Sequence, residues 1–438
     1  MTGFGAFPEL PRRLAVLGVP TLLPLTPAET FARSDLRELT WLLQAYLEEP
    51  VRRQSASAGL FDAARQPGAP AAASAAKAEE GTLEALSLAY GASGHEQAVR
   101  QVVLAQLPPW ARRLAKTDAA GNLVLSLGSR RGGHSRGDQA PDIVFDAHMD
   151  EIGYQVTQIE SDGRLRVKEL GGFYGRYYLG HVMLVHTGDG HAVGGVLELP
   201  SGWDRPHFKW PPAFSTLTQP AQVFVGTRSE AQTKELGIRV GDYLTIPKVY
   251  HPLLDSLVAV RSLDDRVGDT ALVEGVRALG PDFARKWPGR HVTFVWTTGE
   301  EVGLDGAAAY AASVAKDGHA PDVVFAIDTF VSSDSPLETQ RFADAILGQG
   351  FVVRAVDNSN IDPPGDVARV IRLAHDHDIP VQYGATGGGN DGAAYTRYGT
   401  VDVALGWPMV YSHSPVETAS TKDVNALSRM VAVLATQW

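Results

Sequence analysis

The stretch PDIVFDAHMDEIG, residues 141–153, decides the fold. Its opening run to His148 is short, continuous and β-branched-rich rather than alternating, which reads as a strand covered on both faces. Three further runs share that character: HVTFVWTT (291–298), PDVVFAID (321–328) and VDVALG (401–406). Helical patterns lie between and after them, in DRVGDTALVEGVRAL, VGLDGAAAYAASVA and DVARVIRLAHDHD. Strands alternating with helices require crossover connections. The main domain is therefore expected to be α/β, a mostly parallel sheet flanked by helices.

Outward from this core the periodicity changes. Residues 153–257 are rich in short alternating segments (YQVTQI, RLRVKEL, HVMLVHT, AVGGVLEL, YLTIPKVY) separated by Gly and Asp-Gly turns. That pattern predicts an antiparallel, barrel-like insertion within the α/β domain. Upstream, TLEALSLAYGASGHEQAVRQVVLAQL gives helical spacing on both sides of a Gly-Ala-Ser-Gly break, starting the unit near Thr82. Before it, residues 54–80 shift to Ala, Ser, Gly and Pro, a linker whose Ala run also suits a helix. The first 53 residues hold one helix. Thr26-Pro27-Ala28-Glu29 forms a capping box, Leu36, Leu39, Leu43, Tyr46 and Leu47 follow at helical spacing, and Pro50 stops the run. The expected organisation is thus an N-terminal extension (1–81), a catalytic domain (82–152 and 258–438) and an inserted β-rich dimerisation domain (153–257).

Composition excludes several classes. The 438 residues carry 39 Lys and Arg against 50 Asp and Glu, a net charge of −11. A phosphate-tracking surface needs clustered cations, so nucleic acid is not an expected partner. No apolar run approaches membrane-spanning length, so no membrane partner is expected. Arg12-Arg13 before LAVLGVPTLLPL mimics a signal segment, but Pro20 and Pro24 interrupt it and no small-x-small site follows. A cytoplasmic location is expected. Cysteine is absent, so a metal site must use His and carboxylates.

Five polar clusters stand at the ends of apolar runs or near them. His148 and Asp150 follow the first strand, where open α/β sheets bind ligands. Asp150 is placed to orient a metal-ligating His148, although a hydrogen-bonded structural His fits the same pattern. Asp264 and Asp265, in SLDDRVG, suit helix capping as well as metal binding. Glu300 and Glu301 weigh differently, because two carboxylates at the end of a central strand need a countercharge. Asp328 ends another buried run, and His413 lies in the late loop YSHSPVE. Two His with three carboxylates suit divalent zinc, cobalt or manganese, and one carboxylate can be shared between two ions.

Together, LSLAYGASGHE, DAAGNLVLSLG, DAHMDEIG, SLDDRVG, TTGEEVGLDGA, AIDTF, GGGNDGAA and YSHSPVET resemble the dinuclear metallo-aminopeptidases that include glutamyl aminopeptidase and the tetrahedral (TET) aminopeptidases. The resemblance runs from about Thr82 to the end. It implies a zinc-peptidase-like fold and two divalent ions per subunit. His148 and Asp328 would each hold one ion, Glu301 and His413 the other, and Asp264 would bridge them. Glu300 would be the general base and Asp150 would support His148. It further implies peptide substrates and a homo-oligomer between dimer and dodecamer. This chain departs from the pattern at Gly299, where Gln is common, at Asn390, where Thr is common, and at Met409 and Val410, where an Arg precedes the Tyr-x-His. The extension 1–81 has no counterpart. A related dinuclear amidohydrolase of carboxypeptidase or deacylase type competes with this reading, as does a non-enzymatic assembly protein.

Overall fold

The computed structural model describes residues 74–129, 140–205, 207–209, 221–336 and 345–438, together with the single position 37. The capping box at 26–29, the apolar stripe ending at Leu47 and most of the Ala/Pro-rich linker lie outside the described residues. The chain divides into two units, Met1–Ala71 and Ala72–Trp438. The elements named here belong to the second.

In chain order the strands are β1 (Lys116–Thr117), β2 (Leu123–Gly128), β3 (Asp142–His148), β4 (Gly153–Ile159), β5 (Leu165–Leu170), β6 (Val182–His186), β7 (Ala192–Leu197), β8 (Ala221–Phe224) and β9 (Tyr243–Thr245). There follow β10 (His251–Pro252), β11 (Leu257–Val260), β12 (His291–Thr297), β13 (Val323–Val331), β14 (Phe351–Val356), β15 (Val381–Ala385), β16 (Val401–Asp402), β17 (Leu405–Val410) and β18 (Glu417–Ser420). Six of them, ordered β4-β5-β8-β7-β6-β9, close into a barrel. The others form a 12-stranded sheet with the path β1-β2-β12-β3-β13-β17-β18-β11-β10, while β14, β15 and β16 branch from it.

The sheet is parallel at its centre, where β12, β3, β13 and β17 run together, and antiparallel at its flanks. It is therefore a mixed sheet. The run expected as one strand, VDVALG, is split into β16 and β17. Alternation across the pleat sends successive residues of β3 to opposite sides. On one side Phe145 stacks on Phe294 and Phe325, its register partners, with centroids 5.4 and 5.2 Å away. Each such buried ring contributes roughly 1.5–3 kcal/mol. This side is covered by the helices Leu263–Leu279 and Thr421–Gln437. They cross closely at Gly275, where a Cβ would stand 2.5 Å from Val431. On the other side Val144, Val295 and Val324 meet the helix Asp305–Lys316 through Ala307, Tyr310 and Ala311.

The helix Ser74–Ser87 begins inside the Ala-rich run, so that part of the expected linker is helical, in keeping with the helix propensity of Ala. The barrel has its own core of Tyr154, Val156, Leu165, Val167, Met183, Val185, Val223 and Leu244. Among the described residues no helix is long and apolar enough to cross a membrane.

Candidate metal centre

Parallel strands deliver their carboxyl ends to one side, which is where this sheet gathers its charges. His148 ends β3 and pairs in register with Thr297, the last residue of β12, so the loop carrying Glu300 and Glu301 starts beside His148. Asp328 lies on the neighbouring β13. Asp264 and Asp265 open the helix Leu263–Leu279, but their backbones are not helical. Their roles divide. Asp265 Oδ1 accepts the Gly268 amide at 2.8 Å, capping the regular helix, and Oδ2 accepts the His148 amide at 3.1 Å. Asp264 is left to face the site.

All seven candidates converge. His148, Asp264 and Asp328 form one group whose ligand atoms lie within 4.8 Å of one another, and Asp264, Glu301 and His413 form a second. Asp264 belongs to both. His148 Nε2 stands 3.2 Å from its Oδ1 and His413 Nε2 stands 3.3 Å from its Oδ2. Glu300 approaches His148 Nε2 at 3.9 Å, and His413 Nε2 lies 3.5 Å from Glu301 Oε1. Asp264 Oδ1 and Glu301 Oε1 are buried yet accept no hydrogen bond. Buried oxygens are rarely left so, and a cation held between these groups would satisfy them.

Charge balance supports the same assignment. Burial drives the Glu300 carboxyl well above its ordinary range and Glu301 to about 7, where His413 opposes the rise. Burial raises Asp328 to about 6 against the pull of Arg354. Burial disfavours charge on His413 too, but Glu301 and Asp264 lift it to about 10. Asp264 is held low despite its burial, by His148 and His413. Acidic groups that resist ionisation and imidazoles that cling to protons are what a carboxylate-rich cage shows when protons supply the positive charge. Oxygen and imidazole nitrogen donors without thiolate suit zinc, cobalt or manganese.

Asp150 does more than the sequence indicated. His148 Nδ1 lies 3.2 Å from its carbonyl oxygen and 3.4 Å from its carboxylate. The carboxylate also accepts the amides of Glu300 (3.0 Å) and Glu301 (3.2 Å) and the Ser93 hydroxyl (2.7 Å). One side chain thus sets both a candidate ligand and the paired glutamates.

Sequence reasoning gave no role to several supporting residues. Arg354, almost fully buried, pairs with Asp328 at 2.9 Å and donates to the carbonyls of Thr329 and Gly389. Glu417 accepts the amides of His413 and Asp264 and pairs with Arg261. The Thr297 hydroxyl lies 3.1 Å from Asp146 and 2.6 Å from Asp391, a buried pair of acids. Arg354 in FVVRAV and Asp146 in IVFDAH are ionisable residues within apolar runs, a signal that each has a buried partner. Asn390, one of the departures, donates to Asp357 at 2.7 Å and accepts the Gly392 amide at 2.7 Å, so it shapes the Gly-rich loop.

Known proteins share this architecture. The family model described as M42 glutamyl aminopeptidase matches residues 131–430. Putative aminopeptidase FrvX of Escherichia coli is 26% identical over 354 residues, covering 80% of this chain and 92% of that protein. Lysyl aminopeptidase of Pyrococcus furiosus is 28% identical over 360 residues, 78% of this chain and 93% of its own. Among solved structures, the TET1 peptidase of Pyrococcus horikoshii, described as assembling into a tetrahedron or a large octahedral shell, superposes with a TM-score of 0.70 at 31% identity, covering 82% of this chain and all of that one.

Proposed function

Because the chain belongs to the M42 family of glutamyl aminopeptidases, we propose that it removes the N-terminal residue of peptides with two divalent ions and Glu300 as general base. The observation that carries this reading is the pair of ligand groups sharing Asp264. His148 and Asp328 would each hold one ion, Glu301 and His413 the other, and Asp264 both. Ions in such a pair act as Lewis acids that polarise the scissile carbonyl and bring the pKa of a water towards neutrality.

The chain's own groups perform the rest. Glu300 Oε2, near His148 Nε2, takes the proton from the attacking water and returns it to the leaving amine, work typically worth about 10²–10⁴-fold in rate. Burial raises the affinity of this carboxylate for a proton, as a base that must hold one in transit requires. Asp150 keeps the Glu300–Glu301 backbone in register with His148 through the amides that it accepts.

We assign residues 82–152 and 258–438 to catalysis and 153–257, which contain the closed barrel, to self-association, in a cytoplasmic homo-oligomer. The test of function is a panel of aminoacyl substrates, including lysyl and glutamyl ones, on apo protein reconstituted separately with zinc, cobalt or manganese. Metal-restored cleavage of free-amine substrates is expected. Cleavage restricted to N-acylated substrates would contradict the aminopeptidase reading.

A further inference from the structure

The loop of residues 91–96, GASGHE, is rigidly mounted but has no part in the chemistry so far. The His95 ring stacks on Tyr243 at 4.4 Å, Tyr243 on His186 at 4.4 Å, and His186 packs on Tyr90 at 4.8 Å. Tyr243 and His186 are barrel residues, on β9 and β6, so this column clasps the loop from both ends. Two side chains leave the loop for the site. Ser93 reaches Asp150. Glu96, only 5% exposed, turns its Oε1 to accept the Gly94 amide at 2.7 Å and the Gly299 amide at 3.2 Å.

The second contact completes a series. Gly299, Glu300 and Glu301 are consecutive, and their three amides all end on carboxylates: the first on Glu96, the other two on Asp150. Gly299 has φ +65°, a left-handed conformation that glycine adopts without the steric cost of a Cβ. The Gly299 amide belongs to the Thr298–Gly299 peptide, and without an acceptor for it the backbone that leads into Glu300 would be free to turn about the glycine. On the far side the loop is tied by the Asp305 amide to the Gly299 carbonyl (3.1 Å) and the Gly306 amide to the Thr298 carbonyl (2.8 Å). The Glu96 contact is the one that fixes the amide face of Gly299.

We propose that Glu96 is a positioning residue for Glu300, acting through the Gly299 amide. This rests on the reading of Glu300 as the base. What Glu96 supplies is an acceptor oxygen at a fixed place, so the isosteric amide should serve and a truncated side chain should not.

The test uses the full-length, metal-loaded protein with Glu96→Ala, Glu96→Gln and Glu96→Asp, beside wild type and Glu300→Gln. Glu96→Ala should lower kcat about 10–100-fold with KM within about twofold, the penalty of a base misplaced by a fraction of an ångström to an ångström. Glu96→Gln should stay within about threefold of wild type. Should the alanine variant fail to fold, Glu96→Asp, one methylene short of Gly299, takes its place with the same expected loss. Amide hydrogen exchange gives a readout free of turnover, and the Gly299 amide should exchange faster in the alanine or aspartate variant than in wild type. A folded alanine variant with wild-type kcat and unchanged exchange would overturn the proposal. So would a Glu96→Gln variant as slow as Glu96→Ala, or a loss borne by KM alone. Turnover surviving in Glu300→Gln would defeat the base instead, while the exchange comparison would still decide whether Glu96 clamps Gly299.

Discussion

Arg261 and Glu417 form a buried ion pair, Nη1 to Oε1 at 2.6 Å, and the same Glu417 carboxylate accepts the amides of His413 (3.1 Å) and Asp264 (3.3 Å). The pair therefore holds two loops that carry candidate ligands. Arg261→Met leaves Glu417 charged and uncompensated, and it should cost roughly 3–5 kcal/mol in denaturant unfolding. In Arg261→Met/Glu417→Met most of that stability should return, while peptidase activity should not, because the anchoring of both loops is gone. Activity restored along with stability would show that the pair serves folding alone.

Gly306 backs the loop from the opposite side. A Cβ there would lie 2.3 Å from Asn122 Oδ1 and 2.4 Å from the Thr298 carbonyl oxygen. Gly306→Ala should destabilise by about 1–3 kcal/mol, as overpacking does, and should reduce kcat by shifting Thr298 and the glutamate loop next to it. A thermally unchanged, fully active variant would contradict this account of how the loop is held.

Much of this architecture was legible in the sequence because β3, β12 and β13 carry candidate site residues on or just past their apolar runs. The β-branched runs located β3, β12 and β13, and His148 and the paired glutamates stand where such strands stop. Asp328 is also on β13, although the strand continues to Val331. The antiparallel flanks were harder to read. β17 and β18 are buried along their whole length, and nothing local in them distinguishes a parallel neighbour from an antiparallel one. The split of VDVALG into β16 and β17 arises from pairing with β13 at two separate places, which is a tertiary effect. Glu96, Arg354 and Glu417 went unassigned for a related reason. Their partners lie 203, 26 and 156 positions away (Gly299, Asp328 and Arg261), and spacing within a motif carries no trace of them.

The aromatic column should give the fold a pH signature. Burial depresses the His186 imidazole from 6.5 to about 4, with Glu151 opposing and Lys248 and His95 reinforcing the shift. The folded form thus keeps His186 neutral where the unfolded chain binds a proton. Stability from this group is complete above about pH 6.5 and is lost as pH falls towards 4. His186→Phe retains a ring for Tyr243 and Tyr90, so its melting temperature should fall less steeply than wild type across that interval. Parallel curves for the two proteins would remove His186 from the explanation.

Separate substitutions should divide the chemistry from the binding of ions. Glu300→Gln should keep its metal by isothermal titration and lose turnover by about 10²-fold or more, the share of a general base. Asp264→Asn should lose both, since both ligand groups depend on that carboxylate. Metal retained at wild-type affinity in Asp264→Asn would mean that Asp264 does not bridge.

Anomalous diffraction from crystals grown with zinc tests the shared-carboxylate centre most directly. The expected map holds two peaks about 3.5–4 Å apart, the spacing of two-metal hydrolytic sites, one against His148 and Asp328, the other against Glu301 and His413, with Asp264 touching both. A map with no peak there, or with a single peak out of reach of Asp264, would contradict the account.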